Sequence, residues 1–130
     1  EIMAEYQFDK LAASRDLWMT DEHLLYLREN GHIIGLHSHN HPTKITSLSK
    51  NNQLDEYSQN LNCLRVAGLI NETLSMAHPC GDYDQITLKI LTELGVTLGF
   101  RSNFHKMWNR NLLEIPREDH AVLMQEMCSE

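Results

Sequence analysis

The chain of 130 residues is poor in several features, and each shortage excludes a class of protein. Its three cysteines, Cys63, Cys80 and Cys128, are far apart and form no Cys-x-x-Cys pair, which argues against a disulfide framework and suggests a reducing compartment. No apolar run approaches the roughly 20 residues of a membrane span. No signal peptide is visible either, so the cytoplasm is favoured over secretion. The first residue is Glu1 rather than methionine, which leaves upstream sequence open.

Basic residues are also scarce. Eleven Lys and Arg stand against eighteen Asp and Glu, a net charge of −7. Phosphate binding needs a basic surface, so a nucleic-acid partner is disfavoured. A hydrophobic content of 42% in a chain of this length fits one domain that is large enough to bury a core. Cys63 is expected in that core, because free cysteines are commonly buried.

Apolar spacing and capping residues predict an alternation of helices and strands. Helices are predicted from Thr20 or Asp21 to Gly31, around Leu54, Tyr57, Leu61 and Leu64, and from Asp84 to Gly95. Strands are predicted at residues 32–36, 73–77, 96–100 and 112–115. This alternation favours an α/β fold with a parallel sheet or barrel.

Three histidines crowd into five residues directly after the first predicted strand. These are His37, His39 and His41. Imidazole is the commonest metal ligand among side chains. Histidines at i and i+4 that leave a strand and enter a turn can bring two nitrogens onto one cation, although they could instead merely cap the turn. His39 points the other way if the local chain is extended.

His37, Ser38 and His41, followed by Pro42, resemble the second motif of the polysaccharide deacetylase family (NodB homology, carbohydrate esterase family 4). The resemblance runs over about residues 16–119. It implies an irregular (β/α) barrel of the NodB type. The family's first motif, Thr-Phe-Asp-Asp-Gly, does not occur here, so residues 1–130 are expected to form a single, N-terminally incomplete domain holding the C-terminal two-thirds of the barrel.

A second stretch, His78-Pro79-Cys80-Gly81, resembles the family's third motif, a loop that opens a helix. The resemblance implies that the backbone N–H of Cys80 donates to the oxyanion of the reaction. Two residues depart from the pattern. Ala77 stands where many members carry an arginine, and Cys80 replaces an aromatic residue, which leaves a smaller pocket wall.

The resemblance implies a metal-dependent hydrolase that removes N-acetyl groups from a saccharide or sugar precursor. His37 and His41 would bind a divalent metal, most suitably zinc, with cobalt or nickel as alternatives. The Ser38 hydroxyl would hold the loop that aims them. The third ligand and the general base belong to the missing first motif. Asp82, Asp84 and Asp119 are candidate substitutes, although turn and capping roles suit Asp82 and Asp84 better.

The remaining roles follow from the same resemblance. His120 is the candidate acid that protonates the leaving amine. Four side chains are candidates to line a groove for an N-acetylated saccharide: His39, His78, Pro79 and Trp108. The aromatic content is only 7%, which favours a short saccharide over a polymer.

Two other functions remain open at this point. One is a non-catalytic relative that binds a metal or a carbohydrate without turnover. The other is an amidohydrolase of the same fold that acts on a small non-sugar amide. The chain by itself is expected to be nearly inactive. Because missing strands would expose a sheet edge, we expect either association, for example into a homo-oligomer, or a partner segment that fills the gap.

Overall fold

A computed structural model describes residues 9–70, 72–102, 104 and 109–128. The chain divides into two compact units, Glu1–His32 and Ile33–Glu130. The first contains helix α1, Lys10–Leu17, and helix α2, Asp21–Glu29. Asp9 caps α1, because its side chain accepts hydrogen bonds from N–H groups of the first turn. Thr20 caps α2 in a capping box: its side chain accepts from the His23 N–H, and the His23 side chain accepts from the Thr20 N–H. The predicted α2 is confirmed; α1 was not predicted.

The second unit is built on a small parallel sheet. Strand β1, Ser75–Ala77, pairs in parallel with strand β2, Leu98–Phe100. Leu36 forms a parallel bridge to Met76, and Ile115 forms one to Phe100. The spatial order is therefore Leu36, β1, β2, Ile115. Because all four run in parallel, the segments that follow them leave the sheet at one edge, where α/β proteins bind ligands.

Two helices contribute six of the thirteen buried hydrophobic side chains described in this unit. Helix α3 is Lys50–Val66 and helix α4 is Gln85–Glu93. They contact each other, and the Thr87 hydroxyl of α4 donates to Gln53 Oε1 of α3 at 2.8 Å in the buried contact. Each helix buries one apolar face, which is what the spacing in the sequence predicts. The most deeply buried apolar side chains of the two helices are Tyr57, Leu61, Ile90 and Leu91.

Short 3-10 turns and a last helix complete the described residues. The turns are Ile45–Ser47, Pro79–Gly81 and Leu112–Glu114, and helix α5 is His120–Met127. Asp119 caps α5, which was not predicted. No helix among the described residues is long and apolar enough to cross a membrane.

Several sequence predictions need correction. In the segment 32–36 only Leu36 pairs with a neighbour, and residues 112–114 form a 3-10 turn because the Asn111 side chain accepts from the Leu113 N–H. Cys63 is exposed, because it lies off the face of α3 that buries Tyr57 and Leu61. The mixed helix and strand fold agrees with the α/β prediction. Within the described ranges it contains two strands and two bridges, so the barrel stays a prediction.

Candidate functional site

The sheet places His37 beside the end of strand β1. The Leu36 N–H donates to Ser75 O at 2.8 Å, and the Ala77 N–H donates to Leu36 O at 3.0 Å. The next residue, His37, then puts its Nδ1 at 2.8 Å from Ala77 O. A carbonyl oxygen only accepts, so Nδ1 carries the proton and Nε2 keeps its lone pair. This is the tautomer in which a histidine binds a metal through Nε2.

The Nε2 atom of His41 lies next to the Nε2 atom of His37. The two Nε2 atoms are 3.1 Å apart, the ring centroids are 4.8 Å apart and the planes are inclined by 55°. The convergence predicted from the i, i+4 spacing is confirmed. Two nitrogens that each lie about 2.0–2.1 Å from one zinc ion are roughly 2.9–3.4 Å apart in tetrahedral or octahedral geometry. The pair therefore fits two positions of a metal site, while the binding of a metal stays a prediction.

The loop that joins the two histidines has an unusual backbone. Ser38 (φ 64°) and His41 (φ 53°) both lie in the left-handed region, although neither is glycine. Each such residue costs about 1–2 kcal/mol, so other contacts must hold it. Ser38 supplies one of them, because its hydroxyl is buried and accepts from the His41 N–H at 3.1 Å. This contact matches the loop-holding role expected for Ser38.

Helix α3 supplies the other contacts to this loop. Asn60 Oδ1 accepts from the His37 N–H at 2.9 Å. Glu56 Oε2 accepts from the N–H groups of His39 and Asn40 at 3.1 and 2.8 Å, and its Oε1 accepts from Asn40 Nδ2 at 2.7 Å. Burial raises the pKa of Glu56, but the bonds donated by Asn40 and His39 outweigh it and leave the pKa lowered. Sequence reasoning missed both Glu56 and Asn60.

The loop after β1 is the 3-10 turn Pro79–Gly81. Cys80 is exposed and left-handed (φ 52°), and within the described part of the chain its N–H has no hydrogen-bond acceptor. His78 is only 1% exposed; its Nε2 lies 2.8 Å from Leu113 O, and its ring stacks on Tyr83 at 4.0 Å. Pro79 is buried as well. The substrate contact predicted for His78 and Pro79 would need these side chains to become exposed.

A sequence model of the polysaccharide deacetylase family matches residues 9–99, which is more than half of the chain. The chain belongs to the polysaccharide deacetylase family. The solved structure of Streptococcus pyogenes deacetylase PplD in complex with acetate has a TM-score of 0.68 and 24% sequence identity to it. The match covers 84% of this chain and 50% of the PplD chain, so the likeness shows the fold over half of that protein. A search of curated proteins found no match.

In this deacetylase family member, His120 belongs to a different element from the histidine pair. It is the first residue of α5, and its side chain is 92% exposed, with Nδ1 at 3.3 Å from Asp119 Oδ1. It lines an open cavity of about 520 Å³ together with Ser102, Arg117, Glu118 and Asp119. Gly81 lies directly against Ser102, so this cavity adjoins the Pro79–Gly81 turn. The structure leaves His39 exposed, and Trp108 lies outside the described residues.

The three aspartates considered as substitutes for the missing motif have structural partners. Asp82 accepts from the N–H and the hydroxyl of Thr46, both at 2.9 Å. Asp84 caps α4 and Asp119 caps α5. The capping role predicted for Asp84 is therefore confirmed, whereas the Asp82 carboxylate instead joins the Pro79–Gly81 turn to Thr46. Among the residues that the structure describes, no group of three or more His, Cys, Asp or Glu side chains could hold a metal.

The buried His78 gives the fold a predicted dependence on pH. Burial lowers the pKa of His78, against the opposing effects of the Leu113 carbonyl and Glu114. The neutral ring therefore stabilises the fold fully above the ordinary pKa of 6.5. This contribution is lost as the pH falls from there toward the folded-state pKa, by at most about 1.4 kcal/mol per pH unit. Urea unfolding in EDTA at pH 7.5, 6.5 and 5.5 should show a steeper loss in wild type than in His78→Gln.

The matched control for this measurement is His120→Gln. That ring is 92% exposed, so the variant loses an imidazole but keeps the buried His78, and the loss of stability toward pH 5.5 should remain. A wild-type free energy of unfolding that stays constant from pH 7.5 to 5.5 would contradict the assignment of a neutral, buried His78.

Proposed function

We propose that this chain carries the metal-binding part of a hydrolase that removes N-acetyl groups from a saccharide or sugar precursor. The observation that carries the proposal is the 3.1 Å separation of His37 Nε2 and His41 Nε2, with His37 Nδ1 bound to Ala77 O. Family membership supports the reaction class, and so does the fold shared with a deacetylase solved with acetate. We also propose that the fold of the complete domain is the NodB-type barrel predicted from the sequence.

The residues fit a divalent metal by the chemistry of their donors. His37 and His41 would hold it through Nε2, and imidazole suits zinc, with cobalt or nickel as alternatives. When bound, such a metal polarises the acetyl carbonyl and lowers the pKa of a bound water toward about 7. The Ala77 carbonyl orients the ring of His37, and the Ser38 hydroxyl fixes the backbone of His41.

The Cys80 amide is the best candidate in this chain to stabilise the oxyanion. It follows strand β1, whose Ala77 carbonyl binds His37, and its N–H has no acceptor within the described residues. A preorganised N–H aimed at a developing oxyanion contributes a large share of catalysis in acyl transfer. His120 is the proposed acid for the leaving amine, because it lines the cavity beside Gly81. The same cavity is the proposed binding region for an N-acetylated saccharide.

The test is acetate release from N-acetylated chito-oligosaccharides with added Zn²⁺ or Co²⁺. We expect EDTA-sensitive release by the chain extended with any residues that its gene encodes before Glu1. The 130-residue chain should be slower by about 10²–10⁴-fold, the usual contribution of a general base. Equal turnover by both versions would place the base within this chain, among Asp82, Asp84 and Asp119. Release that EDTA does not change would refute metal dependence.

A second candidate function is a relative that binds a metal or carbohydrate without turnover. The observation that favours it is the lack, within the described ranges, of a third side chain in the metal cluster. Zinc binding without acetate release in the extended chain would support this alternative. A third candidate, an amidohydrolase of the same fold, is separated by offering small non-sugar N-acetyl amides in the same assay.

A further inference from the structure

The loop from His37 to His41 is held by side-chain oxygens rather than by other backbone groups. Its N–H groups at His37, His39, Asn40 and His41 donate to Asn60, Glu56, Glu56 and Ser38. Within the described residues none of these four N–H groups bonds to a backbone carbonyl. Three of the four therefore depend on two residues of helix α3.

Glu56 and Asn60 are spaced i, i+4 and so lie on one face of α3, about one turn apart. Asn60 holds the residue where the loop leaves the sheet, and Glu56 holds its middle. Between them lies Ser38, whose left-handed backbone (φ 64°) an unrestrained loop would abandon. The helix thus fixes the start and the middle of the loop that turns His41 toward His37, while Ser38 holds the end at His41.

We propose that Glu56, assisted by Asn60, is a positioning residue that sets the geometry of the His37 and His41 pair and thereby its affinity for a divalent metal. This inference rests on the proposed function only in that the pair binds a metal. Glu56 touches neither imidazole in the structure; it binds the N–H groups of His39 and Asn40. Its effect on the metal is therefore carried through the backbone of the loop.

The carboxylate suits this role better than any other side chain of its size. Glu56 receives three N–H donors on its two oxygens, and a carboxylate is an acceptor only. A glutamine would turn one NH₂ group toward an N–H donor of His39 or Asn40. Glu56→Gln therefore replaces one of the two acceptor oxygens by a donor and removes the negative charge, while it keeps the shape of the side chain.

The experiment measures zinc affinity by competition with a chromogenic chelator, and the thermal midpoint of the metal-free protein. We expect Glu56→Gln to bind zinc about 10–100-fold more weakly, the usual effect of losing a group that orients a metal ligand. Asp55→Asn is the matched control: it removes the same charge from the adjacent, exposed position of α3 and should bind zinc as wild type does. Asn60→Ala, which changes no charge, should also weaken zinc binding.

The outcomes separate positioning from charge and from general stability. Unchanged zinc affinity in folded Glu56→Gln, with only a lower thermal midpoint, would overturn the proposal, and so would an equal loss in Asp55→Asn. If Glu56→Gln does not fold by circular dichroism, Asn60→Ala decides, and wild-type affinity there overturns the proposal. If wild type binds zinc no better than His37→Ala, the proposed metal site itself fails. Failure of Glu56→Gln alone leaves that site standing.

Discussion

Replacing either His37 or His41 by alanine is expected to weaken zinc binding by more than 100-fold. Each ring supplies one Nε2 to a pair separated by 3.1 Å, so one substitution leaves a single ligand. Loss of a group that only orients a ligand already costs about 10–100-fold in affinity, and loss of the ligand itself must exceed that. Equilibrium dialysis followed by elemental analysis gives the measurement, with zinc-dependent acetate release as a second readout.

The chain provides a matched control within the same loop. His39 lies between the two proposed ligands and is exposed, and its contact with Glu56 is made by the backbone N–H, which alanine retains. His39→Ala should therefore bind zinc with wild-type affinity. Equal losses in all three variants would mean that the loop, rather than the two Nε2 atoms, is what zinc binding depends on.

Gly99→Ala is expected to lower the free energy of unfolding more than the other glycine substitution considered below. The loss should lie at the upper end of the roughly 1–3 kcal/mol seen for overpacked sites. A Cβ atom at this position would lie 2.5 Å from Leu113 O and 2.9 Å from both Leu113 C and Leu113 Cα. These are backbone atoms, so no side-chain rotation relieves the overlap. Strand β2 would have to separate from the 3-10 turn Leu112–Glu114. Urea denaturation of the metal-free protein would show the change in the free energy of unfolding.

Gly95→Ala is the comparison for this prediction. Nothing lies within 4 Å of a Cβ there, but the residue has φ +84°, so only the left-handed backbone penalty of about 1–2 kcal/mol applies. Gly99→Ala should be the less stable of the two variants. The reverse order would show that the contact between β2 and Leu113 relaxes more easily than the backbone of Gly95.

The long helices could be predicted from the sequence because their signals are local. Thr20 and Asp84 each form a capping box, and Tyr57 and Leu61 mark the buried face of α3. The sheet was harder to predict, since its strands are three residues long and are defined by partners more than 20 residues away. Helix α5 was not predicted, although Asp119 caps it. None of its residues is buried, so its apolar residues do not form the one-sided pattern by which a sequence predicts an amphipathic helix.

The candidate site likewise has one part that the sequence predicts and another part that depends on contacts between distant residues. The convergence of His37 and His41 follows from a spacing of four residues, which the sequence displays directly. Their supports could not be predicted, because Asn60 and Ala77 contact His37 across 23 and 40 residues of sequence. In the sequence, the position of Glu56 is typical of a charged residue on the solvent-exposed face of a helix. Only the fold shows that the histidine loop packs against it.

The dependence of the histidine loop on α3 has a consequence for how this site tolerates changes in length. An inserted residue between His37 and His41 would shift the loop N–H groups away from Glu56 and Asn60, which a rigid helical turn keeps at a fixed spacing. An insertion at the exposed positions Thr43 and Lys44 would leave all four contacts intact. The proposed metal-binding unit is thus three short pieces: a five-residue loop, one turn of helix and the strand end at Ala77. Other scaffolds could acquire it by grafting all three pieces together, but not by grafting the histidines alone.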